Sequence, residues 1–164
     1  LHTNSAAGAV PRLLDMEVEP FLMASTVNVI VAQRLVRTLC SEKEKYFLTS
    51  QQLERLSKEV DLDRVASFLA KEKITGKISD WSKVNFYKPS LKEDCPEGYK
   101  GRVGIHEILR VSESIRNLIM ASATSDDIEK QAKKEGMMTM LEDGIIKCVQ
   151  GITTIEEILR VTSE

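Results

Sequence analysis

A chain of 164 residues is the size of one ordinary domain, or of a small domain with an appendage, and can bury a core without disulfides or metal. Its 42% apolar and 29% charged content is that of a globular chain and excludes general disorder. Lys and Arg total 23 against 25 Asp and Glu, and the resulting net charge of −2 removes the electrostatic case for a nucleic-acid binder.

The first block runs from residue 5 to 39. Ser5 is placed to cap a helix carrying Leu13, Leu14 and Met16, with Pro11 tolerated if the regular turns begin a few residues later. Glu19 and Pro20 start a second, short helix, since proline suits a first turn. Val29, Ile30, Val31, Val36 and Leu39 then favour a strand over about residues 29–37.

Composition shifts over residues 40–98, which read as an insertion. Residues 41–45 are a solvated charge run. Thr49 with Gln52 forms a capping box, and Asp61 caps a second helix carrying Leu62, Val65, Phe68 and Leu69. A short strand from Val84 to Lys88 ends at Pro89.

From Gly98 the chain changes again. Val103, Ile105, Glu107, Leu109 and Val111 alternate with Arg102, His106 and Arg110, which predicts a strand over 102–111. Four helices follow. Ile115, Leu118 and Ile119 share a face of the first, and Thr124 with Asp127, Thr139 with Glu142 and Thr153 with Glu156 open the others. Gly136 and Gly151 stand where helix C-terminal glycines belong.

Few residues carry obvious chemistry. A phosphate-binding G-x-x-x-x-G-K-[ST] loop is missing: Gly76 and Lys77 are followed by Ile78 and preceded by Lys71 where a glycine is needed. Gly98, Gly101 and Gly104 do not have dinucleotide-fingerprint spacing and read as turn and packing glycines. His106, in a strand pattern among apolar residues, reads as a packed or half-exposed imidazole rather than a catalytic base. No run of about 18 apolar residues could form a membrane-spanning helix.

The N-terminus has neither Met nor a signal-peptide profile, so the chain is expected to be cut from something longer. Cys40, Cys95 and Cys148 are odd in number and widely spaced, which suits a reducing cytosol and free structural thiols. His2, Thr3 and Asn4 set an imidazole, a hydroxyl and an amide in succession before a helix, a group able to hydrogen-bond a phosphate oxygen. Arg34 and Arg37, three apart on a strand, point to opposite faces. One could reach an anion, although two surface arginines is the plainer reading.

Several strings together resemble one family. LHTNSAAGA at 1–9, RLLDM at 12–16, VEPFL at 18–22, AQRLVR at 32–37 with Leu39 and Cys40, and GYKGRVGIHEIL at 98–109 are similar to segments of the ATPases of type II secretion and type IV pilus assembly. IRNLI at 115–119, Gly136 with Met137, Glu142 to Gly144, and Thr153 to Val161 match the helices that end those proteins.

The resemblance implies an α/β fold: a partial RecA-like ATPase core with strands about 29–37 and 102–111, a mixed insertion, and an α-helical C-terminal subdomain. The implied boundaries are 1–39 for the end of the core from the His box, 40–98 for the insertion, 99–111 for a core strand, and 112–164 for the helical subdomain. His2 would be the His-box histidine that senses the terminal phosphate in the full-length ring, and Thr3, Asn4, Arg34 and Arg37 would lie near the nucleotide or a subunit interface.

ATP and magnesium would bind the parent protein. This segment, lacking the P-loop, is expected to be inactive alone and to hold no cofactor. The parent would be a homo-hexamer, cytoplasmic and peripheral to the inner membrane, working with an inner-membrane platform protein and with no transmembrane segment here.

Family members commonly carry two C-x-x-C pairs that hold zinc in the insertion. Here Lys43 and Lys92 stand at the partner positions, so the expected metal set is none, with Cys40 and Cys95 the residues that a surviving degenerate zinc site would use. So long an insertion favours secretion or assembly over retraction, while IRNLI at 115–119 is similar to the retraction motors and keeps that alternative open. The competing reading is a non-enzymatic module whose insertion docks a membrane platform protein or regulator.

Overall fold

The computed structural model describes residues 3–162 and shows a mixed α/β chain. The first elements are α1 (Ala9–Asp15), α2 (Pro20–Thr26), β1 (Val29–Leu39), β2 (Lys43–Tyr46), α3 (Ser50–Glu59) and α4 (Leu62–Lys71). A 3-10 turn, Trp81–Lys83, leads to β3 (Phe86–Pro89) and β4 (Tyr99–Arg110). Helices α5 (Glu113–Met120), α6 (Ser125–Lys134), α7 (Met140–Val149) and α8 (Ile155–Thr162) follow.

Two compact units result. The first comprises residues up to Arg34 with His106–Met140, and the second Leu35–Ile105 with residues from Leu141 onward. Strands β1 and β4 pair with each other, and each runs from one unit into the other. Val111 N donates to Asn28 O (2.9 Å) beside one end of the pair, and Cys40 N to Gly98 O (3.1 Å) beside the other, so the strands are antiparallel.

In the first unit Val10, Met23, Leu109, Ile115, Ile119 and Ile128 belong to one buried cluster. Each isoleucine is fully buried there and contributes about 1.5–3 kcal/mol. Pro11 falls in the first turn of α1, where its missing N–H costs no helical bond. Ser5 Oγ accepts from Gly8 N (3.0 Å), just ahead of that helix. Ser112 and Thr124 cap α5 and α6 by accepting from Ile115 N and Asp127 N.

The second unit holds β2, β3 and four helices, with Val65, Leu69, Phe86, Ile145 and Ile158 among its buried side chains. Trp81 and Tyr46 lie against Phe86, with ring centroids 6.5 and 6.3 Å away. Thr49 and Gln52 form the expected capping box, and Asp61 caps α4. Gly98 has φ +72°, and a Cβ there would come within 2.3 Å of Pro89, so a turn and a close approach both require glycine.

Three sequence expectations change. The charge run at 41–45 is not simply solvated: Lys43–Tyr46 is a strand paired antiparallel with β3. Glu44 lies opposite Lys88 and forms a 2.9 Å ion pair with it. Charged residues suit such a short, exposed ribbon, and alternation is hard to recognise over four residues.

The start of α8 shifts by one residue. Thr154, not Thr153, accepts from Glu157 N (3.3 Å), while Thr153 Oγ1 donates to Arg37 O (2.8 Å). Two adjacent threonines offer both registers, and a tertiary contact selects between them.

The third change concerns the thiols. Cys40 and Cys95 form a disulfide, and Cys148 is free and buried. The expectation of free structural thiols at 40 and 95 fails because β1 and β4 bring the two ends of the 41–94 segment together.

Candidate functional site

The residues singled out from sequence fall into two separate arrangements, and His2 lies outside the described residues. In the first unit, Arg34 Nη2 donates to Asn4 Oδ1 (3.1 Å), tying the segment before α1 to β1. Thr3 Oγ1 donates to Ser5 O (3.1 Å). Beside them Glu107, 3% exposed on β4, accepts from Ala6 N at 2.7 Å through Oε1. The backbone entering α1 is thus held at Ala6 by a buried carboxylate and, two residues earlier at Asn4, by a guanidinium.

Burial raises the Glu107 pKa. The Ala6 amide opposes that rise, Glu129 adds to it, and the Met140 amide and Lys133 oppose it. Glu107 therefore holds its proton to higher pH than an ordinary carboxyl. His106 is half-buried on the same strand.

Arg37 belongs to the second unit and to different partners. Its Nη2 donates to Glu157 Oε1 at 2.7 Å, its backbone N donates to Glu157 Oε2 at 3.0 Å, and its guanidinium lies 4.2 Å from the Tyr99 ring centroid. Glu97 approaches Nη1 at 3.8 Å, and Arg160 donates to Glu157 through Nε and Nη2. Arg37 Nε is buried and makes no hydrogen bond among the described residues. Burial pushes the Glu157 pKa up, but the Arg37 and Arg160 hydrogen bonds more than offset it and lower it to about 2. Tyr99 OH and Thr154 Oγ1 lie 3.1 Å apart.

Arg34 and Arg37 therefore do not converge. One orders the approach to α1 and the other anchors α8, which follows from their three-residue spacing on a strand. The carboxylates were missed as partners. Glu107 had a signal, since it alternates in phase with the buried Ile105 and Leu109. Glu157 had a weaker one, one helical turn after Thr154 and between residues of α8's buried face.

The base of the 41–94 segment does not fit a zinc ion. Both cysteines are consumed in the disulfide, Lys43 Nζ donates to Gly151 O (2.6 Å), and Lys92 pairs with Glu42 (3.2 Å). Among the described residues no three His, Cys, Asp or Glu side chains gather as a metal-binding set. No described helix is long and apolar enough to cross a membrane.

A two-unit α/β chain with this buried-carboxylate scaffold sits within a known family. The family model described as "Type II/IV secretion system protein" matches residues 1–160. Over the whole chain there is 41% identity to the type II secretion system protein E of Xanthomonas campestris pv. campestris and 38% to the type IV pilus assembly ATPase PilB of Pseudomonas aeruginosa. In each case the match covers 26% of the relative. The type II secretion system ATPase E of Vibrio cholerae is 39% identical across the whole chain and 29% of its own length.

The chain belongs to the type II/IV secretion system protein family. It spans about a quarter of the length of these relatives.

Proposed function

We propose that this chain is the C-terminal segment of a hexameric motor ATPase that couples ATP hydrolysis to type II secretion or type IV pilus assembly. The match across residues 1–160 carries the reading, and relatives named for both processes support it. In this reading β1 and β4 belong to a RecA-like core that ends near residue 39 and resumes at 99–111. Residues 40–98 are an insertion and 112–164 form the C-terminal subdomain.

ATP and magnesium bind elsewhere in the parent, because this sequence has no P-loop whose amides and lysine could cradle phosphates. The segment supplies His2 as a phosphate sensor. Arg34, through Asn4, fixes the stretch that follows it, and Arg37 fixes α8. The parent is cytoplasmic, lies against the inner membrane and engages a platform protein there.

In the parent protein, His2→Ala lowers turnover more than it lowers nucleotide affinity. Equal turnover in mutant and wild type would sink the His-box assignment.

A second reading, that the insertion docks a platform protein or regulator, is favoured by a 420 Å³ open pocket in the second unit. Tyr46, Leu48, Leu56, Ile155 and Leu159 line it. Leu159→Lys would place a charge in its lining, and unchanged transport by that variant would remove this reading.

A further inference from the structure

The first unit carries a surface that its own packing does not use. Met16, Phe21 and Leu22 are 57%, 71% and 54% exposed, while the next two residues, Met23 and Ala24, are buried in the core. Phe21 and Leu22 sit in the first turn of α2, and helical side chains lean toward the helix N-terminus, so both lie over the turn at 16–19. Single exposed apolar residues are ordinary; three large ones within seven positions are not.

The turn beneath them is fixed. Glu17 N donates to Leu14 O (2.9 Å) and Val18 N to Leu13 O (3.1 Å), while Glu17 adopts φ +63°. Left-handed backbone at a glutamate costs about 1 kcal/mol or more, which the surrounding structure must hold in place.

This turn is also acidic. Asp15, Glu17 and Glu19 are exposed and form no ion pair among the described residues. Arg12 is the one cation in residues 12–26, and it too forms no ion pair among the described residues, so the segment carries three carboxylates to one guanidinium. Arg116, at the other end of α2, is committed to Ala24 O and Asn28 Oδ1. The segment therefore combines exposed large apolar side chains with exposed carboxylates that form no ion pair among the described residues.

We propose that Met16, Phe21 and Leu22, with Asp15, Glu17 and Glu19, form a docking surface for a protein segment that is apolar at its centre and carries Lys or Arg at its edge. Burial of Phe21 and Leu22 supplies the affinity, and the carboxylates select the sign of the partner's charge. The proposal rests on the exposure and charge of these residues in the 164-residue chain, and it is tested on that chain.

The test is an NMR titration of the isotope-labelled chain with an amphipathic helical Leu/Lys peptide, and separately with a Leu/Glu peptide of equal length. The Leu/Lys peptide shifts resonances of residues 15–22, and its affinity falls with salt. Affinity falls about tenfold or more in Phe21→Ser with Leu22→Ser, and by a similar factor in Asp15→Lys with Glu19→Lys. All four positions are exposed, so the fold is expected to survive, and the unshifted remainder of each spectrum verifies it.

Equal binding of the Leu/Glu peptide, shifts elsewhere, or insensitivity to both variants overturns the proposal. Concentration-dependent shifts at 15–22 without peptide also overturn it, by assigning the surface to a second copy of the chain.

Discussion

The two units bury a carboxylate in opposite ways. Glu107 in the first is held by a backbone amide and titrates high; Glu157 in the second is held by two guanidinium groups and titrates low. Both are almost fully buried, so burial alone does not set the direction. The deciding difference is whether a formal positive charge reaches the site with enough hydrogen bonds to overcome desolvation. The second unit is also cross-linked, by Cys40 and Cys95, and the first has no disulfide among its described residues.

The largest expected effect tests that cross-link. Cys40→Ser with Cys95→Ser frees a loop with a sequence separation of 55 and lowers stability by about 2–4 kcal/mol in chemical denaturation. An unchanged midpoint would show that strand pairing alone closes the segment.

Next comes Glu157→Ala, which leaves Arg37 and Arg160 without their carboxylate. Fully buried pairs cost about 3–5 kcal/mol when broken, but these guanidinium groups are half-exposed and can be rehydrated, so we expect about 2 kcal/mol. A loss under half of that would mean that the ion pair does not anchor α8.

The pH dependence separates the two units further. Glu157, depressed in the fold, contributes stability that is complete above the ordinary carboxyl range near 4.5 and is lost as pH falls toward about 2. Glu107, raised in the fold, contributes stability that is present below that range and is lost as pH rises through its elevated value. In Glu157→Gln the acid-side loss shrinks, whereas in Glu107→Gln the loss on raising pH shrinks. Denaturation midpoints across the acid range read both, and slopes of the same sign would break the comparison.

The smallest effect is a local one. Thr124→Ala removes the cap of α6 and costs about 1 kcal/mol, with the change confined to the first unit in amide exchange.

Much of the fold was legible where local chemistry decides it. Thr49, Asp61 and Thr124 each cap the expected helix, and β1 begins at the expected residue, because hydrogen bonds within a few positions fix these features. What was not legible depends on residues far apart in sequence. The strand at Lys43–Tyr46 needs its partner 86–89, the Thr154 register needs the contact from Thr153 to Arg37, and the disulfide needs β1 beside β4.

The apolar faces of the last four helices were plain, yet α5 and α6 pack in the first unit and α8 in the second, and no helical period encodes that division. For the site, the sequence showed which side chains could bind an anion but not that Arg34 and Arg37 are engaged by Asn4 and Glu157.

The most direct test of the functional account is magnesium-dependent ATP hydrolysis by the purified 164-residue chain, with Glu157 titration verifying that the second unit is folded. The account predicts a rate indistinguishable from a protein-free blank, since this sequence has no G-x-x-x-x-G-K-[ST] loop to cradle the phosphates. Turnover that scales with protein concentration and disappears on removing magnesium would contradict it.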